Sequence, residues 1–572
     1  MKQLNARIRS IFINLDSRFQ LVIIGVIVGL CSGFAAVGLN FTLEKLSHLF
    51  SKFNHSLYVI LFPVAGITLT VFVLKFIIKD FGGHGVPEVI LSVSIKGGAL
   101  KLRSSFSKLI GSLLTISSGG SAGPEAPVVI SGAAIGSNIA RYFKSNEQIK
   151  VAVTGSGAAA AIASIFNAPI TGIIFTMEVI LGEWSPRNML PVAISSVTGT
   201  VVSRLMNGNQ IPFAHRKFNV NINDIFATIG LAVAFAVFSL IFIKLLKWTS
   251  MALEKLSRHF LVKSVIGGLL VGGVTIFFPY VKGEGYGVVR QLIAGDFSSP
   301  VAGVLVLILM KMLATSLTLG AGGSGGVFAP SLLIGSLGGF FYFQFIETVF
   351  PHAVFTGASL FALVGMAGML SGTLHAPLTG IFLIVEITGG YDAILPLLLV
   401  SFLTSTLVKL GEKYSIYHYE LVKEGFLLRP RTDGRILSEI KPEELLEKDL
   451  VTIHPEMVLK DLIPLIEKSR RNYFPVEDKS SGEFLGMVYF NDIKSYLFNP
   501  GLLNSIIVEE VMQTDLTTVS LSDGVGDILN TFDATGSWSL PVVEDKKFLG
   551  LVSKATMLDH YRKELKAQTE ES

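Results

Sequence analysis

Seven stretches of at least 18 residues without Asp, Glu, Lys or Arg interrupt the first 420 positions, and they restrict the folds open to the chain. They lie at 19–43, 53–74, 151–177, 225–243, 264–281, 312–346 and 348–385. A membrane-crossing helix needs about 20 mostly apolar residues. The last two stretches exceed that length, so each is expected to hold more than one helix or a broken one. Uncharged stretches at 126–140, 188–203, 297–310 and 393–408 fall short of it. Tilted helices, and helices that end inside the membrane, are therefore expected. Such ends are tolerated only where protein or water covers the open backbone.

Charge divides the chain in two. Residues 1–420 hold 29 Lys and Arg against 17 Asp and Glu, and residues 421–572 hold 18 against 26. A lipid-facing part thus precedes a water-facing one. Mean hydropathy of +0.59 excludes a disordered chain and argues against an all-soluble enzyme. The lone Cys31 excludes a disulfide framework and a cysteine zinc site. The class is a polytopic membrane protein, and nothing points to nucleic acid. The expected domains are a cytoplasmic segment 1–18, a membrane domain 19–420, a linker 421–445, and two small modules at 446–498 and 507–562. Basic residues in the first 18 positions place that end in the cytoplasm by the positive-inside rule. The water-facing tail is expected on the same side, in the cell's inner membrane, with no cleaved signal peptide.

Both parts repeat internally. GGSAGPEAP at 119–127 matches GGSGGVFAP at 322–330. FNAPITGIIFTMEVI at 166–180 matches the stretch around HAPLTGIFLIVEI that begins at His375. Duplicated halves are a common transporter plan, with the site between them near mid-membrane. In the tail, NYFPVEDKSSGEFLGMVYFNDIKSYL at 472–497 parallels SWSLPVVEDKKFLGLVSKATMLDHY at 537–561. Each unit reads as helix, strand, acidic turn, strand, helix.

Three loops share a design of glycines, then Pro, then an apolar run: GHGVP (83–87), GPEAP (123–127) and GVFAP (326–330). Pro suits a first helical turn, and free amides at a helix start form an anion site. Partial charges hold a monovalent anion without trapping it, and no Lys or Arg lies in 81–87, 119–127 or 322–330. Glu125 carries a carboxylate within the second loop, which inside a membrane is a functional hypothesis by default. Having the charge of the proposed ligand, it can occupy the ligand's place until protonated. Phe328 stands at the matching position of the other half, as an apolar wall.

The loops, their order and the late Ser415-Ile416-Tyr417 resemble the ClC family of chloride channels and chloride/proton exchangers, over roughly 20–420. The tail resembles a CBS-domain pair. The resemblance implies an all-α membrane fold of two inverted repeats of tilted and broken helices, followed by a cytoplasmic α/β CBS pair, assembled as a homodimer with one pore per subunit. It implies that Glu125 is the gating glutamate. It implies that the central anion, chloride or a similar small monovalent ion, is held by Val327, Phe328, Ala329 and Tyr417 with Gly83, His84, Gly85 and Val86. Gly123, Pro124, Ala126 and Pro127 would form the external-site loop.

Three departures from the family pattern stand out. His84 replaces a usual Ser; either its imidazole alters anion selectivity or it turns away and only backbone serves. Pro124 and Ala126 flank Glu125, and Pro lacks an N–H. Val179 occupies the position where exchangers carry an inner glutamate, beside Glu178, whose repeat partner is Glu386. The apolar Val179 points to a passive, voltage- or pH-gated channel. The alternative is a chloride/proton antiporter with another inner relay, such as Glu183. A remote alternative is a CBS-tailed cation transporter using Glu125, Glu178 and Glu386. No enzyme motif and no metal site is present. For the CBS pair, an adenine nucleotide is the one cofactor considered. Such pairs use a Ser or Thr and an Asp for the ribose, and each half-signature is incomplete here: Asp492 is present but Tyr489 replaces the hydroxyl, and Ser553 is present but Thr556 stands in place of Asp, so a structural dimerisation role is preferred.

Overall fold

The computed structural model describes residues 16–51, 57–80, 85–208, 213, 217–257, 259–423, 440–469, 471–496 and 499–570. It divides into two units, Met1–Leu428 and Arg429–Ser572.

Among the described residues of the first unit, eight α-helices are followed by eight that match them in order. The first set is α1 (Ser17–Ser51), α2 (Leu61–Phe72), α3 (Val86–Ile95), α4 (Ser107–Ser117), α5 (Glu125–Tyr142), α6 (Glu147–Phe166), α7 (Pro169–Phe175) and α8 (Pro186–Asn207). The second is α9 (Ile222–Leu256), α10 (Phe260–Phe277), α11 (Tyr286–Ala294), α12 (Val301–Gly320), α13 (Phe328–Val349), α14 (Ala358–Leu374), α15 (Pro377–Thr388) and α16 (Ile394–Gly411). A short α17 (Ile416–Lys423) follows.

Local sequence explains many of the ends. Pro at the first position opens α7 and α15. An Asn221–Asp224 capping box opens α9. Asn167 and His375 end α6 and α14 in the left-handed region, at φ 55° and 56°. Each half also has a close helix crossing without side chains. A Cβ on Gly132 would strike the Gly157 carbonyl, and one on Gly335 would strike that of Gly365. Such contacts let α5 and α6, and α13 and α14, approach closely.

Eight helices among the described residues are long and apolar enough to cross a membrane. Three correct the expectation from the short uncharged stretches. α8, α12 and α16 reach spanning length because they continue past Arg187, Arg204, Lys311 and Lys409. Charged residues near helix ends can reach the interface, and Lys311 instead finds carbonyl partners in the protein. The stretches 312–346 and 348–385 do hold interrupted helices, as expected.

In the second unit, α18 (Leu459–Lys468) precedes antiparallel strands β1 (Tyr473–Glu477) and β2 (Phe484–Tyr489). α19 (Val525–Thr535) precedes β3 (Ser539–Glu544) and β4 (Lys547–Ser553), and α20 (Lys554–Glu570) ends the unit. Single bridges extend both hairpins alike. Ile453 pairs with Val476 and Val519 with Val542, while Gln513 pairs with Met487 and Glu447 with Leu551. Each module thus has its own apolar core, around Phe474 and around Phe532. Most of the expected linker, residues 424–439, lies outside the described residues.

Candidate functional site

The second and third glycine loops meet at a two-residue bridge. Gly123 donates to the Gly326 carbonyl at 2.9 Å, and Gly326 donates to the Gly123 carbonyl at 2.7 Å. The flanks repeat the pattern: Ser324 N–H donates to the Thr115 hydroxyl at 3.0 Å, and Ser121 N–H donates to the Thr318 hydroxyl at 3.1 Å. Gly85 of the first loop lies close to Ala126, where an added Cβ would come within 2.9 Å of the Ala126 carbonyl oxygen. The three loops predicted from sequence therefore converge. Gly83 and His84 fall outside the described residues.

Glu125 begins α5 and is 1% exposed. Its Oε1 accepts a hydrogen bond from the Tyr286 hydroxyl at 2.6 Å. Its Oε2 is buried, has no partner of ordinary hydrogen-bond geometry, and curls over Gly123. The amides of Glu125 and Ala329 face this carboxylate. The acidic side chain thus sits among the first amides of α5 and α13, where partial positive charge collects. Phe328, at the matching position of the second half, packs its ring against Phe166 at 5.4 Å and Phe175 at 6.2 Å. It forms an apolar wall.

Cavities approach Glu125 from two sides. A wide one of about 950 Å³ includes Ile116, Pro124, Phe166, Glu284, Tyr286 and Arg290 in its lining. The wide cavity takes in Ile116 and Ser117 at the end of α4, and at the start of that helix a cavity of about 230 Å³ touches Gly85, Lys108, Pro127, Ser324 and Gly325. Another of about 150 Å³ touches Ala126, Gly326, Val327 and Tyr417. Tyr417 is buried. The loops carry no cation, as their sequence shows, but α4 brings Lys108 into the narrow cavity. Distant residues therefore supply charge that the loops lack.

Glu178 and Glu386 are structural caps. Glu178 accepts from the amides of Leu378 (3.1 Å) and Thr379 (2.8 Å) and from the Thr379 hydroxyl. Glu386 accepts in the same way from Ile170 (2.9 Å) and Thr171 (2.7 Å). Each satisfies the free amides that open the other half's Pro-initiated helix. The cation alternative needs those carboxylates as ligands, whereas here each is engaged by three donors of its own chain. Val179 is buried in the turn after α7, and Glu183 accepts a hydrogen bond from Asn188 at 2.9 Å.

Sequence reasoning missed Tyr286, Glu284, Lys108 and Lys311. Two signals were available: GEGYG at 283–287 parallels GHGVP at 83–87, and Lys311 follows Lys108 by the repeat spacing.

In the tail, the half-signatures are bonded within the chain. Asp492 accepts from Gln513 Nε2 at 2.8 Å. Ser553 donates to Glu447 at 2.6 Å, and Thr556 donates to the same carboxylate. Glu447 also pairs with Arg471 at 2.7 Å and accepts from Tyr473 at 3.2 Å. Burial pushes the Glu447 carboxyl up. The two hydroxyls, the Arg471 charge and Tyr473 outweigh this and hold it below its ordinary value.

Two matched halves, with interrupted helices meeting around a buried carboxylate and cavities on both sides, define an ion-transporting membrane protein. A family model described as voltage gated chloride channel matches residues 66–409, and CBS-domain models match 443–499 and 508–563. The chain belongs to this ClC family of anion transport proteins and carries a CBS pair. The putative chloride channel protein ClcB-like of Ralstonia nicotianae is 30% identical over 345 residues, 59% of this chain and 80% of the relative. The H(+)/Cl(-) exchange transporter ClcA of Vibrio campbellii is 26% identical over 396 residues, 67% of this chain and 84% of the relative. A solved structure of a slow cyanobacterial Cl-/H+ antiporter aligns with 72% of this chain and 99% of its own at 23% identity, with a TM-score of 0.65.

Proposed function

We propose that the chain exchanges chloride or a similar small anion for protons, with Glu125 as both gate and outer proton carrier. The observation that carries this is the position of its carboxylate. It lies among the amides of α5 and α13, between the wide cavity and the narrow ones. An ionised carboxylate there excludes an anion, and protonation removes the charge that competes with it. In this reading the wide cavity faces outward, the termini are cytoplasmic, and Val327, Phe328, Ala329 and Tyr417 hold the central ion. The name of the Vibrio relative supports exchange over passive flow. The inner proton route then avoids residue 179.

A second reading, a passive channel gated by Glu125, is favoured by one observation. Val179 carries no proton, and the neighbouring Glu178 is bonded as a cap. Chloride-loaded liposomes separate the two. The proposal expects an outward chloride gradient to drive protons inward. Chloride efflux without proton movement supports the channel, and no anion flux at all overturns both.

We infer a homodimer as well. Leu190, Val197 and Val201 of α8 and Leu395 and Phe402 of α16 leave apolar surface uncovered by their own chain. The CBS pair is assigned a structural role, because its candidate ribose-binding groups already bond to Glu447 and Gln513.

A further inference from the structure

The loop 283–287 is a fourth glycine turn, and the structure ties it to the first. Gly283 and Gly285 follow Gly83 and Gly85 by 200 positions. Gly85 caps α3 at φ +85°, and Gly285 caps α11 at φ +90°. Both values favour glycine, and at Gly285 a Cβ would also strike Leu333. α3 and α11 are partners in the duplicated fold. Gly85 lines a narrow cavity, whereas Gly285 lines the wide one. The second half thus places a copy of the first loop on the opposite side of the junction. Where α3 begins with Val86, α11 begins with Tyr286.

We propose that Tyr286 is a positioning residue for the gate: its hydroxyl latches the Glu125 carboxylate in the anion pathway and so sets the pH at which the pathway opens. The proposal rests on the reading of Glu125 as the gate.

Among the described residues, the 2.6 Å contact from Tyr286 to Oε1 is the side-chain hydrogen bond that this carboxylate receives. A hydroxyl donating to a carboxylate makes a charge-assisted bond, stronger than a neutral one. It therefore favours the ionised, blocking form. The tyrosine is well placed for this. Its ring meets Phe213 edge-on at 6.1 Å. Lys311 Nζ donates to the carbonyls of Val281 (2.9 Å) and Gly283 (2.7 Å), which fixes the loop that carries it.

Other charged or titratable groups surround the pair. Glu284 and Tyr417 face Glu125, and Glu284 and Arg290 face Tyr286. Lys311 and Arg290 face Glu284 in turn, and Lys282 lines the same wide cavity. Glu284 and Glu125 carry the same charge and repel each other when both are ionised. The Tyr286 hydroxyl opposes that repulsion at Glu125.

The test is chloride efflux from liposomes between pH 4 and 8, with wild type, Tyr286→Phe, Glu125→Gln and the double variant. Tyr286→Phe removes one oxygen. Its efflux midpoint is expected to rise by about one pH unit, as loss of a charge-assisted bond predicts. In the Glu125→Gln background the same change is expected to do nothing further. Tyr286→Leu, a second variant, is expected to shift the midpoint in the same direction. A residue that only fills space would lower efflux at every pH without moving the midpoint. If Glu125→Gln loses its pH dependence while both Tyr286 variants keep the wild-type midpoint, the latch is overturned and the gate stands. If Glu125→Gln retains the wild-type pH profile, the gate reading fails and the latch fails with it.

Discussion

Gly123 and Gly326 exchange both of their backbone hydrogen bonds, which joins the two halves of the membrane domain at the point where Glu125 lies. The junction has no room for side chains. A Cβ at Gly326 would come within 2.9 Å of that of Ala126, and one at Gly123 would overlap Glu125 Oε2.

Gly123→Ala is therefore expected to push the Glu125 carboxylate out of its seat. The most obstructed atom is the end of a flexible side chain, while the Ala329 Cβ at 3.0 Å requires only a small shift of α13. Efflux at pH 7.5 should rise towards the value at pH 4.5, flattening the pH profile. Wild-type steepness in this variant would show that the carboxylate is not held over Gly123.

Glu125→Gln removes the charge and keeps the size. Permeation should persist and pH dependence should disappear, since nothing is left to protonate at the junction. The sign follows from competition. In the wild type, flux rises as pH falls, because a neutral carboxyl no longer excludes the anion. Proton movement coupled to chloride should vanish as well. Rates measured with chloride and with nitrate across pH 4 to 8 check both points.

Glu178→Ala and Glu386→Ala should behave alike, because each carboxylate accepts from two amides and one Thr hydroxyl. Removing either leaves the amide and hydroxyl of a buried Thr, Thr379 or Thr171, unpaired, at a cost of about 1–3 kcal/mol for each unpaired group. The expected result is lower thermal stability in detergent for both variants. Proton coupling per chloride should remain unchanged in whatever protein is recovered. A selective loss of coupling in Glu178→Ala would make that residue a proton relay instead.

What could be read in advance follows from the range of each interaction. The glycine-Pro loops, the duplicated halves and the matching segments that contain Pro169 and Pro377 are local signals, repeated at a nearly fixed spacing. Their convergence then follows from the repeat. Tyr286 and Lys108 are different. Each approaches the site from a separate helix, and neither marks the glycine-Pro loops themselves. Spanning helices such as α8 and α16 were hidden because charged residues at their ends shorten the uncharged stretch. In the tail, strand order was visible in the FLGMV and FLGLV patterns. The role of Glu447 was not, because its partners lie about a hundred residues away at Ser553 and Thr556.

Glu447 gives the tail a pH-dependent clasp. Its carboxylate joins Arg471 and Tyr473 of the first module to Ser553 and Thr556 of the second. Its folded-state value lies below the ordinary one of 4.5. A group depressed in this way stabilises the fold above its unfolded value and loses that contribution as pH falls through the folded value. Glu447→Gln should therefore weaken the tail at pH 7 by about 1 kcal/mol. The figure is kept low because Arg471 is partly exposed and water screens the pair. The gap between variant and wild type should close once the medium is acidic enough to protonate the wild-type carboxyl, below pH 4.5. Hydrogen exchange at 547–557 in the intact protein reads this directly, with faster exchange expected in the variant at pH 7 and equal protection in acid. Equal exchange at pH 7 would mean that the two modules hold together without the clasp.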